Sequence, residues 1–87
     1  MLIGLNQNVA ADGYIFHVQT EDVPERGELV TQVFLEGRVL HTYSHAYGGW
    51  KARDDWRDKV AAQARRQHTV MVAAIMRGRL TPRAGNP

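Results

Sequence analysis

Residues able to do chemistry are few in this chain, and they stand at spacings that defeat the usual constellations. Four histidines, His17, His41, His45 and His68, are the candidates for metal ligation or proton transfer. His41 and His45 are four apart, which would stack them on a helix. They fall in a stretch that reads as a strand, however, where that spacing puts them on one face about 13 Å apart. One ion cannot bridge that span. No HExxH, CxxC or Asp-rich loop occurs, so no metal site is expected. Ser44 precedes His45, but neighbouring strand residues point to opposite faces, which defeats proton transfer between them. Thr20, Thr31 and Thr42 complete the hydroxyl candidates, with no cysteine and no GxSxG elbow. Of the paired carboxylates, Glu21-Asp22 and Asp54-Asp55, the second pair is placed to cap a helix. Gly48-Gly49 is too short to cradle phosphate. The reading is a non-enzyme with no catalytic residue and no cofactor.

What the polar residues offer instead is a surface. Residues 2–9 and 14–21 read as strands joined through Asp12-Gly13, a dipeptide that suits a type I′ turn because both positions need positive φ. That turn sets Ala11 opposite Tyr14, Val9 opposite Phe16, Gln7 opposite Val18 and Leu5 opposite Thr20. The other face then pairs Asn8 with His17 and Asn6 with Gln19, with Glu21 beyond. This row of amides, imidazole and carboxylate is either a solvated face or a hydrogen-bonding surface for a partner. A turn at Val23-Pro24-Glu25-Arg26-Gly27 ends the hairpin.

A second hairpin, 29–35 and 38–47 around Glu36-Gly37, sets Phe34 opposite Val39, Gln32 opposite His41 and Val30 opposite Tyr43. Leu29, Val33, Leu35 and Leu40 fall on the reverse face, so both faces carry apolar residues. The connector Tyr47-Gly48-Gly49-Trp50 leads into a helix over 54–78. Its stripe is Trp56, Val60, Ala64, Gln67, Met71 and Ile75, widened by Ala61, His68 and Val72. His68 inside that stripe reads as a core histidine with a satisfied nitrogen. Asp54 or Asp55 would cap the start, and Gly78 followed by Pro82 would close the end. A helix of that length, roughly 36 Å, would overhang strands of five or six residues, roughly 17 to 20 Å. The overhang and the two-sided hairpin both point to self-association, with Phe34, Val39, Tyr43, Trp50, Val72 and Met76 as interface residues.

The 87 residues leave room for one domain, 1–80, with 81–87 as a disordered tail. Absence of cysteine fits a reducing cytoplasm. The first residues lack the basic and apolar regions of a signal peptide, and no run approaches the ~20 apolar residues that span a bilayer. Net charge is +2 with a pI of about 9.4, and the late part is the basic part. Arg57, Arg65, Arg66 and Arg77, with Tyr47 and Trp50 to stack bases, therefore give a nucleic-acid-binding alternative.

At Tyr14-Ile-Phe-His-Val-Gln-Thr-Glu-Asp22, with residues 30–40, Arg66-Gln67-His68 and Ile75-Met76-Arg77-Gly78, the chain resembles a group of small, largely uncharacterised bacterial proteins. Their pattern is a strand with HVQTED, a glycine hairpin and a helix with a Gln-His pair before an Arg-Gly or Asp-Gly end. The resemblance implies an autonomous domain and marks His17, Gln19, Thr20, Glu21, Asp22, Gln67 and His68. The chain departs from the pattern at residues 23–28 and at Gly48-Gly49-Trp50. The expectation is an α+β domain, a four-stranded mainly antiparallel sheet of two hairpins and one long C-terminal helix. Its function would be that of a homo-oligomeric adaptor or regulatory subunit that binds itself and another protein in the bacterial cytoplasm.

Overall fold

The computed structural model describes residues 4–80. The chain forms one open antiparallel sheet in the order β1 (Gly4–Ala11), β2 (Tyr14–Val23), β3 (Glu28–Leu35) and β4 (Arg38–Ala46), followed by α1 (Trp56–Met76). It is an α+β fold of two hairpins and one helix. The tail 81–87 lies outside the described residues.

The first hairpin has the register that its turn dictates. Ala11 faces Tyr14, Val9 faces Phe16, Gln7 faces Val18 and Leu5 faces Thr20. Asp12 and Gly13 take φ of 53° and 80°, the left-handed pair that a type I′ turn requires. β2 runs on through Val23 before a short 3-10 turn, Pro24–Arg26, hands the chain to β3.

The second hairpin departs from the expected register. Phe34 does face Val39, but a β-bulge follows, so that Gln32 faces Thr42 rather than His41, and Val30 faces Ser44 rather than Tyr43. One inserted residue reverses the side on which every later side chain stands. Tyr43 therefore shares the helix-side face with Thr31, and Thr42 moves to the other face.

α1 packs on the face formed by Val9, Phe16, Val18, Leu29 and Val33. Its buried residues are Val60, Ala64, Gln67, His68, Met71 and Ile75, the stripe that 3.6-residue periodicity marks. Met71 and Ile75 join Val9, Phe16, Val18 and Val33 in one cluster, while Val60 and Ala64 join Leu29 and Tyr47 in another. The expected overhang is absent because the strands are longer than assumed. At 8 to 10 residues each they span roughly 26 to 33 Å, which matches roughly 31 Å for a helix of 21 residues. Val72 accordingly leans on its own core.

The two ends of α1 are closed by different means. At the start, neither Asp54 nor Asp55 caps with its side chain. Asp55 instead accepts two bonds from the Arg53 guanidinium, at 2.8 and 3.1 Å, which holds its carboxyl below the usual range. At the end, Gly78 takes φ of 73°, its N–H bonds to Ile75 O at 3.0 Å, and Arg79 N–H reaches Ala74 O at 2.9 Å. That is a Schellman closure with glycine at the left-handed position.

Candidate functional site

The HVQTED strand sorts its side chains by alternation. Val18, Thr20 and Asp22 turn towards the helix, and His17, Gln19 and Glu21 turn away. The inward half belongs to a buried hydrogen-bond chain anchored at one end on a backbone carbonyl. Leu29 C=O can only accept, so the Gln67 amide nitrogen faces it at 3.2 Å and also donates to Thr31 Oγ1 at 3.0 Å. Gln63 donates to the Gln67 oxygen behind it at 3.1 Å. Thr31 Oγ1 lies 2.7 Å from Thr20 Oγ1, which lies 2.8 Å from His68 Nδ1; with the ring neutral, Thr20 donates to Nδ1 and accepts from Thr31. In that state the ring proton is on Nε2, which donates to Gln7 Oε1 at 2.9 Å.

Burial lowers the His68 pKa and so favours the neutral ring. Gln67 and His68, adjacent on α1, thus reach β3 on one side and β1 and β2 on the other. The pair fixes the helix's rotation on the sheet. No buried side-chain polar atom among the described residues is left unpartnered, and this chain of bonds ties α1 to three strands.

Asp22 accepts a 2.6 Å bond from the Tyr47 hydroxyl, and burial with this acidic neighbour pushes the phenol up to about 12. The Tyr47 ring stacks on Trp56, with Lys51 beside both rings, Arg57 over Trp56 and Lys59 over Trp50. Trp50, in the 3-10 turn Gly48–Ala52, packs against the Leu29 cluster. The connector therefore plugs one end of the core. Tyr47 is buried and has no face to offer a base.

The outward half of the strand lies on the sheet face away from the helix. Asn6, Gln19, Gln32 and Thr42 stand abreast across all four strands, and two residues along stand Asn8, His17, Phe34 and Val39. The His17 ring sits between Asn8 Oδ1 at 2.9 Å and Asn6 Oδ1 at 3.2 Å, with the Phe34 ring 6.1 Å away. Gln32 donates to Thr42 at 3.5 Å. In the next row Glu21 joins Gly4, Val30 and Ser44. Towards the turns Ile15 is 67% exposed and Val39 53%. Among the described residues no element packs as a second layer on this face, which is about as broad as the helix-covered one.

The expected interface residues do not form one surface. Phe34 and Val39 are paired neighbours on the open face, whereas Tyr43 stands on the helix side of β4, beyond the reach of α1. Trp50 and Val72 pack into their own core, and Met76 is exposed near the helix end. The expected polar row, Asn6, Asn8, His17, Gln19 and Glu21, does come together. Sequence reading missed Gln32 and Thr42, which extend the row, and Ile15, which borders it; regular alternation counted through the bulge would have found Gln32 alone.

Of the arginines, Arg57 lies on Trp56, while Arg65, Arg66 and Arg77 are exposed on or beside α1. The rings on the open face, His17 and Phe34, are thus on the side of the sheet away from α1 and its cations. His41 and His45 lie along β4, and no three His, Asp or Glu side chains among the described residues are grouped as a metal ion needs. Among the described residues no helix is long and apolar enough to cross a membrane. No family model, curated protein or solved structure matches the chain.

Proposed function

We propose that the chain is a non-enzymatic, homo-oligomeric protein-interaction module, an adaptor or regulatory subunit, working in the bacterial cytoplasm. The observation that supports this most is the sheet face without a second layer. It sets Ile15, Phe34 and Val39 beside the amides of Asn6, Asn8, Gln19 and Gln32, with Glu21 the one charged side chain among the rows described. Apolar groups favour burial at roughly 25 cal/mol per Å² removed from water. Amides deprived of water must each find a partner, so they select a mate of matching register. A face with little charge suits another protein better than a phosphate backbone, which needs cations close to its stacking groups. The cytoplasmic assignment rests on the chain's lack of cysteine and on the bacterial resemblance of its strand and helix motifs.

The test is the solution mass by light scattering at low and high salt, with absorbance at 260 and 280 nm on the same peak. The expected result is a salt-insensitive species at a multiple of 9.8 kDa, free of nucleic acid. A 9.8 kDa monomer at every concentration, or bound nucleic acid that leaves in salt, overturns the reading.

A further inference from the structure

The two edges of the sheet are built differently. β4 carries the bulge, and with it Arg38, His41 and His45. Bulges and charged or ionisable side chains are common ways of stopping an edge from recruiting another strand. β1 has neither. It pairs with β2 without interruption from Gly4 to Ala11 and contains no proline and no charged residue. Counting back from the two-residue turn, Ala11, Val9, Gln7 and Leu5 exchange backbone bonds with β2. The N–H and C=O groups of Gly4, Asn6, Asn8 and Ala10 therefore face the edge on which no strand among the described residues pairs.

Taken about Gln7, this strand reads nearly the same in both directions: Asn6 matches Asn8, Leu5 matches Val9, and Gly4 matches Ala10. We propose that a second copy of the chain pairs antiparallel along β1, with Gln7 opposite the partner's Gln7, to give one continuous eight-stranded sheet. This rests on the self-association reading and names its contact. In that register Asn6 stands opposite the partner's Asn8, and the outward backbone groups of both meet their complements. Leu5 stands opposite the partner's Val9 on the helix side. No like charges face one another, and the Asn6 and Asn8 carboxamides, which flank the His17 ring, each stand opposite a carboxamide across the join.

The helices give a second reason for this occupant. A two-fold axis normal to the sheet keeps both helices on one face, side by side and antiparallel. His68 marks the flank of α1 nearest β1, because it bonds Gln7. Val72 and Met76, one and two turns further, share that flank, and Met76 is 68% exposed. Pairing along β1 brings this apolar flank towards its copy.

Because the chain has no cysteine, Gln7→Cys introduces its one thiol. Residues opposed at such a position have Cα atoms about 4.5 Å apart, within the disulfide range of about 4.4 to 6.8 Å. Under mild oxidation Gln7→Cys is expected to convert to a disulfide-linked dimer, while Ser44→Cys on β4 stays monomeric on a denaturing gel. Asn6→Lys with Asn8→Lys, both exposed, should keep the circular dichroism of the folded chain and lose the dimer at concentrations where wild type retains it. A wild-type oligomer in which Gln7→Cys cross-links no more than Ser44→Cys, and the double lysine variant keeps its mass, overturns the edge pairing and leaves self-association standing. A wild-type monomer at every concentration overturns both.

Discussion

His68 shows how a titratable group can be committed to structure. Its Nδ1 accepts from Thr20, whose hydroxyl is oriented by Thr31, which is oriented by Gln67 against an immovable backbone carbonyl. Adding a proton to Nδ1 would set two donors against each other until the Thr20 hydroxyl turned round to Thr31. Burial acts in the same direction, lowering the native pKa below the ordinary 6.5. As pH falls, the unfolded chain therefore takes its proton first. The stability tied to His68 is complete above pH 6.5 and declines as pH drops below that value towards the native pKa. Urea unfolding midpoints should fall between pH 7 and pH 5, and less so in His68→Leu. Equal slopes in the two proteins would show that the ring is not held neutral. In the sequence, His68 was legible as a core residue by its place in the apolar stripe. Its bonds to Thr20 and Gln7 were not, because they depend on how the helix is rotated over the sheet.

At the scale of elements, local chemistry decided what could be read. The Asp12-Gly13 turn imposes one register, so the first hairpin and its polar row follow from the residues directly. The second hairpin has an equally clear turn, yet nothing in Val39-Leu40-His41 marks where an extra residue enters. Alternation carried through it puts Tyr43 on the wrong face. The overhang was overestimated because a generic strand of five or six residues stood in for the longer strands read from the sequence; β2 also runs two residues past Glu21, where the Tyr47 hydroxyl bonds Asp22. The C-terminal closure of α1 was legible because only glycine takes its conformation cheaply. Gly78→Ala, whose added Cβ would come no nearer than 3.7 Å to Asp12 Oδ2, should cost about 1 kcal/mol through backbone strain alone. Gly49→Ala, with open space around it, should change the unfolding midpoint little. Equal midpoints for the two variants would remove the Schellman closure as a source of stability.

The whole molecule is elongated, 44 by 21 by 18 Å, with a sheet covered on one face and open on the other. The uncovered face and the unblocked β1 edge are separate resources. Pairing along the edge leaves the face free and doubles its width, so the proposed dimer is a larger platform for the same amide rows. This division also explains why the apolar residues suspected from the sequence are scattered. Phe34 and Val39 belong to the face, Val72 and Met76 to the flank beside the edge, and Trp50 to the core.

The bulge in β4 has a consequence for stoichiometry. A subunit with two receptive margins is bifunctional and can propagate into a fibre; a subunit with one is a chain terminator to its own kind, and growth halts at two. On the proposed pairing, the residue inserted in β4 would make the chain monovalent towards itself. Deleting Leu40 would restore regular alternation and a second flat margin. The deletion variant is then expected to pass from a defined dimer to polydisperse assemblies in light scattering, and a variant that stays a dimer would show that the bulge does not limit growth.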